Sequence, residues 1–326
     1  MYRRDKSLVI RGCASSMCNN LSVINKDVNG PSVYAVVYKA VVILVTTGTE
    51  NEPPTHKQVI FKEPTAAHGQ PLVLQAKLIQ LGERTVLVAT SQKGIQMYEG
   101  DGSVMLHWHA LTDPSNMAAQ VCFARGICAV GNDIICVGTS SSLILAFRVP
   151  IKGPNITVSE ELKGHQYPIC DLASYKDKMA SSDSEGNIIL WKQNGSKLIK
   201  TVSISGSGSP CSSLCLSDDV VVGGYGSGHI RVYNSNTGKI GAEVSAHARW
   251  ITALSFNRAS GLLLSAAEDS FVNVWLIKPG ALPHIEHRFT DCITDQQLVG
   301  ASFIKPDGSS FCVTGYDNNE ISMFTR

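Results

Sequence analysis

Several things are scarce in this sequence, and each scarcity removes a class of protein. No apolar run approaches the roughly 20 residues of a membrane-crossing helix; the most apolar stretch, residues 33–45, is interrupted by Lys39. Near the start, the apolar part of MYRRDKSLVIRG is confined to residues 8–10, too short for a secretory signal core. Charge of one sign is never in surplus: 28 basic and 27 acidic side chains leave a net charge of +1. No global field therefore draws in a polyanion, and nucleic acid is not an expected partner. Cys-x-x-Cys pairs are missing among the ten cysteines, most of which lie inside apolar runs. That usage fits reduced, buried thiols in an intracellular, cytoplasmic protein.

Chemistry is scarce as well. No serine has glycines two residues before and two after it, so the nucleophile elbow is missing. The glycine-rich GGYGSGHI, residues 223–230, lacks the later Gly or Gly-Lys that a dinucleotide or phosphate loop requires, and reads as a tight turn between strands. Cys211 and Cys215 have no histidines at zinc-ligand spacing. His107 and His109 flank Trp108 and would share one face of a strand, but a third ligand is not close by in sequence. Neither a metal nor a cofactor is expected.

Helical periodicity is the last absence. Short runs rich in β-branched and aromatic residues alternate with Gly, Asn, Asp, Ser and Pro, and no 3.6-residue period is sustained. The runs instead repeat. GIQMY ends at Tyr98, LILAF at Phe147, NIILW at Trp191, HIRVY at Tyr233, FVNVW at Trp275 and EISMF at Phe324, in steps of 49, 44, 42, 42 and 49 residues. This period suits a unit of four short strands, which buries its faces only by stacking on its neighbours. One further unit lies upstream, with LSVI, VYAVVY, AVVILVTT and QVIFKE as its strands. The total is seven units of about 47 residues each. The last unit has three strands, VGASFI, SFCVTG and EISMF, whereas SLVIRG, residues 7–12, has nothing local to pair with. If it supplies the missing outer strand, the ring closes and two exposed sheet edges disappear.

Two units carry a finer pattern. Residues 246–275 contain His247, Ser265, Asp269 and Trp275; residues 163–191 contain His165, Ser181 and Trp191, with Glu185 six residues before the tryptophan where the other unit has Asp. With Gly-His, a strand, a serine, an acid and a closing Trp, the chain resembles the WD-repeat β-propellers. The resemblance implies an all-β, seven-bladed propeller occupying residues 1–326 as one domain. It also implies a structural tetrad in which Trp bonds to Ser, Ser to His and His to the acid. No closing aromatic is followed by Asp, so the dipeptide that names the family is absent.

The resemblance places partner contacts on the face made by the loops entering the innermost strands and by the turns bearing the acid. On that face it puts Tyr167, Pro168, Arg249, Trp250 and Glu268, and by looser alignment Pro210, Tyr225, Gly226, Tyr316 and Asp317. Trp250 and Arg249 are the residue types that most often anchor interfaces. Glu268 would pair with Arg249 or receive a basic residue from a peptide. Loops over residues 109–120 and 290–297 should lie on the same face, and the hydrophilic residues 48–57 should join outer strands of the first unit. The expected function is a non-catalytic scaffold that binds a protein or peptide segment on this face. Two alternatives stand beside it: a hydrolase with its site at the channel mouth, and an element that self-associates into homo-oligomers.

Overall fold

The computed structural model describes residues 1–25, 30–48, 52–61, 71–111 and 122–326. Among them every regular element is a β-strand, and the strands form seven antiparallel sheets arranged as the blades of a propeller. Blade 1 comprises Ser22–Asn25, Ser32–Tyr38, Val41–Thr46 and Thr55–Ile60. The innermost strands of blades 2 to 7 are Val73–Leu81, Ala124–Val130, Ile169–Tyr175, Cys211–Leu216, Ile251–Asn257 and Leu298–Phe303. Blades 2 to 6 each add three further strands outward in chain order. Blade 7 adds only Ser310–Gly315 and Glu320–Thr325 from the end of the chain.

The N-terminus supplies what blade 7 lacks. Arg3 and Arg4 pair with Thr325 and Phe324, and Leu8 and Val9 pair with Ile321 and Glu320. The outer strand is thus two short pieces, and it begins four residues earlier than the segment the sequence singled out. Tyr2, 6% exposed, drives its ring edge-on against Phe311 at 4.9 Å and Phe289 at 5.4 Å, and its hydroxyl donates to the Gly308 carbonyl.

Why the ring must close is written in its core. The buried apolar residues fall into seven clusters, and each lies between two adjacent blades. Residues such as Val88, Met97, Ile127 and Phe147 join blades 2 and 3, while Tyr34, Ile43, Val299 and Cys312 join blades 1 and 7. A single blade therefore has two half-cores and no complete one.

Round the channel a second, polar set of contacts links blade to blade. In blades 2 to 7 a β-bulge interrupts the start of the innermost strand. A bulge re-aims side chains locally. Here the bulged Thr252 donates to the carbonyl of Leu298 (2.8 Å), and Ser212 to that of Ile251, each in the next blade. Backbone N–H groups answer from the following blade. Leu78 donates to Ser22 (3.0 Å), Gly126 to Gln75 (2.8 Å), Leu214 to Asp171 (2.8 Å), Leu254 to Ser213 (2.9 Å) and Phe303 to Ser255 (3.1 Å). Between blades 3 and 4 a glycine replaces the polar link. Gly126, at φ +80°, lies so close to blade 4 that a Cβ would stand 2.9 Å from the Leu172 nitrogen.

The connections between strands differ from the sequence expectation in detail. The last strand of blade 1 already begins at Thr55, so the connection expected over residues 48–57 is shorter, and its residues 49–51 lie outside the described residues. Thr290 and Cys292 belong to the outer strand His284–Cys292 of blade 6, which leaves residues 293–297 as the loop. The loop expected over residues 109–120 falls largely outside the described residues.

Truncating the clasp tests its weight. Tyr2→Ala should destabilise the protein by about 3 to 5 kcal/mol in urea unfolding, the usual loss for a buried aromatic. Arg3→Ala, on the exposed neighbouring residue in the short strand Arg3–Arg4, should change it by about 0.5 kcal/mol or less.

Candidate interaction face

The tetrad residues hold the turns of this face. In blade 6, His247 Nδ1 meets both carboxylate oxygens of Asp269 (3.1 and 3.2 Å) and its Nε2 meets Ser265 Oγ at 2.8 Å. Trp275 Nε1 donates to the same Oγ at 2.9 Å. Blade 4 has the same chain of contacts: Trp191 Nε1 to Ser181 (2.8 Å), Ser181 to His165 (2.7 Å) and His165 Nδ1 to a carboxylate at 2.8 Å. That carboxylate is Asp183, not Glu185. Asp183 ends its strand two residues earlier, where its oxygens also accept the N–H groups of Glu185 (3.1 Å) and Asn187 (2.9 Å). The shorter side chain, placed closer to the histidine, caps the turn, and Glu185 contributes only its backbone.

Ser, His and Asp in this order have the connectivity of a hydrolytic triad. Ser181 and Ser265 are nevertheless 0% exposed, and each oxygen already receives an indole N–H. Neither presents a nucleophile to solvent. Burial pushes the Asp183 and Asp269 carboxyls up, but hydrogen bonds from the histidines and from turn N–H groups more than offset it and hold both below the usual range.

Blades 5, 3 and 2 replace the tetrad with smaller polar pairs. In blade 5, Tyr225 and Tyr233 join through their hydroxyls at 2.9 Å, and the Arg231 guanidinium lies 4.5 Å above the Tyr225 ring. Blade 3 uses Thr139 and Ser141 at 2.9 Å, and in blade 2 the Tyr98 hydroxyl donates to Gln96. Tyr225, expected at the contact face, is therefore buried, at 0% exposure. It ends an inner strand, and its ring turns into the core shared by blades 4 and 5.

The remaining expected residues lie where loops and turns of blades 4 to 7 meet the surface. Tyr167 and Tyr316 are 41% and 48% exposed. Pro168 and Pro210 are half-buried, and their carbonyls accept the N–H groups of Ser184 and Gly226. Arg249 is exposed and, among the described residues, its guanidinium has no ion pair or hydrogen bond. Trp250, half-buried, lays its ring on the backbone of Gly226 in blade 5, where a Cβ would come within 2.8 Å of the indole. Glu268 does not pair with Arg249; it accepts from the Gln297 amide at 3.1 Å, joining blades 6 and 7. Asp317 is exposed at φ 52°, and its N–H donates to Ala14.

Two features of this face were missed in the sequence. Phe271, 41% exposed, follows the Asp269 turn and adds an aromatic beside Glu268. The other is the path of residues 14–20, which run from blade 7 over the channel. Asn19, at φ 54°, crosses the mouth: its N–H donates to Thr252 (2.8 Å), its amide to Ser212 (3.2 Å), and its side-chain oxygen accepts from Ser213 (2.8 Å). Asn20 anchors the turn, accepting from the Val37 N–H at 2.6 Å and donating to the carbonyls of Ser15 and Val37. The doublet Asn-Asn, suited to left-handed backbone and to local bonding, was the available signal.

Away from the face, His107 and His109 share one side of their strand, with ring centroids 6.4 Å apart, both edge-on to Phe147 of blade 3. Burial pulls both imidazoles below their ordinary pKa; His107 is lowered further by His109, whereas Glu161 opposes the shift at His109. No group of three or more His, Cys, Asp or Glu among the described residues could hold a metal ion, and no helix among them is long and apolar enough to cross a membrane.

Two measurements follow from this geometry. Asp183→Ala strands the His165 and turn N–H groups and should cost about 3 kcal/mol or more, whereas Glu185→Ala should cost about 0.5 kcal/mol or less. Stability held by the depressed carboxyls is present above the unfolded value of about 4 and lost as pH falls through the lower folded value. Urea midpoints should therefore fall steeply below about pH 4, and less steeply in Asp269→Ala.

Comparison with known proteins agrees with the architecture. Two solved structures, titled Crystal Structure of Mitotic Checkpoint Complex and Structure of U3-55K, contain chains that superpose with TM-scores of 0.76 and 0.75. Identities are only 15% and 13%; the alignments cover 99% and 98% of this chain and 91% and 98% of those, so the likeness concerns the fold. The chain is 42% identical over 335 residues to WD repeat domain 54 of Rattus norvegicus, covering 99% of both. It is 39% identical to WD repeat-containing protein 54 of Homo sapiens, covering 100% of this chain and 99% of that one. The sequence model of the WDR54 family matches residues 1–326, and the chain is a member of that family of WD-repeat propellers, an architecture that generally mediates protein interactions.

Proposed function

We propose that this protein is a non-catalytic scaffold that binds a peptide or protein segment on the face described above, with Arg249 and Trp250 as its centre. One observation carries the reading: an exposed guanidinium with no partner among the described residues stands beside a half-buried indole. Arg and Trp are among the commonest interface anchors; here the guanidinium offers directional donors and the indole offers contact area, its Nε1 being shielded from solvent. The indole is pre-positioned by its contact with Gly226, so little rotamer entropy is lost when a partner covers it. Tyr167, Phe271 and Tyr316 supply exposed aromatic surface across blades 4, 6 and 7. Pro168, Pro210, Gly226, Glu268 and Asp317 shape the surface between them. All ten cysteines are free, which supports a reducing, cytoplasmic setting.

Affinity capture with the wild-type chain and with an Arg249→Glu, Trp250→Ala double variant tests the proposal. The variant should retain the wild-type unfolding free energy to within about 1 kcal/mol, since neither side chain belongs to a core cluster. Partners captured by wild type should be lost from the variant. An unchanged partner set on a folded variant would refute the assignment of this face.

A further inference from the structure

We propose that the central channel is a binding well for a small polyanion of the polyphosphate class, entered from the face opposite the interaction face. The innermost strands of the blades enclose a cavity of about 610 Å³ that reaches from Asn19 at one end to Asn132, Lys176 and Arg258 at the other. Asn19 bonds to blades 5 and 6 across the upper mouth and narrows it, so entry is assigned to the lower end.

Its charge is lopsided in a chain whose overall charge is nearly balanced. Among the described residues the lining holds three cations, Lys77, Lys176 and Arg258, against one carboxylate, Asp171. Lys176 is paired with Asp218 at 2.7 Å. Lys77 and Arg258 have no carboxylate within ion-pair distance among the described residues; their recorded acceptors are carbonyls. Lys77 Nζ donates to Ile127 (2.8 Å), and Arg258 donates to Leu216 (2.8 Å) and Ser174 (3.1 Å) while stacking 4.9 Å over Tyr175. Two of the five guanidinium N–H groups are used, and two of the three lysine donors remain. Higher in the ring Arg125 adds a fourth cation, its Nη2 shielded from solvent with no hydrogen-bond partner.

Lys77 is half-buried and Arg258 stands at the exposed lower rim; apart from Asp171 they face mainly carbonyl dipoles, which only partly offset the loss of hydration along the wall. Although Arg258 is exposed at the rim, partial desolvation of its guanidinium pulls it below its ordinary pKa, against Cys215 and Tyr175. An anion in the well supplies the missing countercharge and accepts the spare N–H groups in charge-assisted bonds. Asp171 works against this, but its carboxylate already receives Leu214 N–H and is opposed by Lys77. A ligand bearing several negative charges can meet more than one of these cations, whereas a single carboxylate would meet only one.

The test is isothermal titration of the full chain with inorganic tripolyphosphate in about 0.15 M salt, where surface attraction is largely screened. One site per chain is expected. Arg258→Gln and Lys77→Met should each weaken binding about tenfold or more, the usual loss for a charge-assisted bond. Asp171→Asn, which removes the opposing charge and keeps an acceptor for Leu214, should tighten it. Lys163→Gln, on the opposite face, should leave it unchanged. Absence of binding at this salt concentration overturns the proposal, as does equal affinity in wild type and the two cation variants, or equal weakening by Lys163→Gln. Should Arg258→Gln fail to fold, because that side chain ties blades 4, 5 and 6 together, Lys77→Met and the gain from Asp171→Asn still decide it.

Discussion

Each apolar cluster of this molecule belongs to two blades at once, and from that sharing the rest follows. A four-stranded sheet with both faces apolar has no stable solitary state in water. It gains a core only when neighbours cover both faces, so the array is satisfied only as a closed ring. Closure falls to the weakest junction, where blade 7 has three strands of its own. There the first residues of the chain complete the sheet, and Tyr2 is driven into the cluster between blades 6 and 7. The same opening segment then crosses above blade 7 and ends in the channel mouth.

Hydrophobic sharing fixes which surfaces meet but not how far one blade slides along the next. Polar contacts supply that specificity. The bulged hydroxyls and the side chains that follow them bind individual backbone groups of the adjacent blade, so a one-residue slip would strand several buried donors at about 1 to 3 kcal/mol each. The tetrads do the corresponding work within blades 4 and 6, pinning the turn between the second and third strands to the loop that enters the blade. Elsewhere lighter pairs suffice, such as Tyr225 with Tyr233.

The rhythm of the fold was legible because strands of one kind recur with their closing aromatics on the third strand, and because composition left no helical alternative. The deficit of one strand in the last unit marks it as the place where the opening segment must clasp. What stayed hidden depended on geometry that spacing does not encode. Counting back from Trp191 gives Glu185, but the histidine selects the acid by reach, and Asp183 at the strand end is nearer. Tyr225 lies in an aligned turn position, and only the pleat decides that its ring faces inward. The bulges and the crossing made by Asn19 are single-residue irregularities in otherwise ordinary runs. The partnership of Glu268 with Gln297 likewise joins residues 29 apart on different blades. Of the contact face, the sequence placed most candidates on loops and turns, but it could not tell which side chains were already engaged.

Arg3 lies opposite Thr325, so the two ends of the chain are neighbours in a single sheet. During synthesis, which proceeds at about 5 to 20 residues per second, the opening segment has no partner until the final strand has left the ribosome. For that whole interval the nascent array carries an unpaired edge and an uncovered flank. Its biogenesis is therefore a race between completion of the chain and capture of those surfaces by something else.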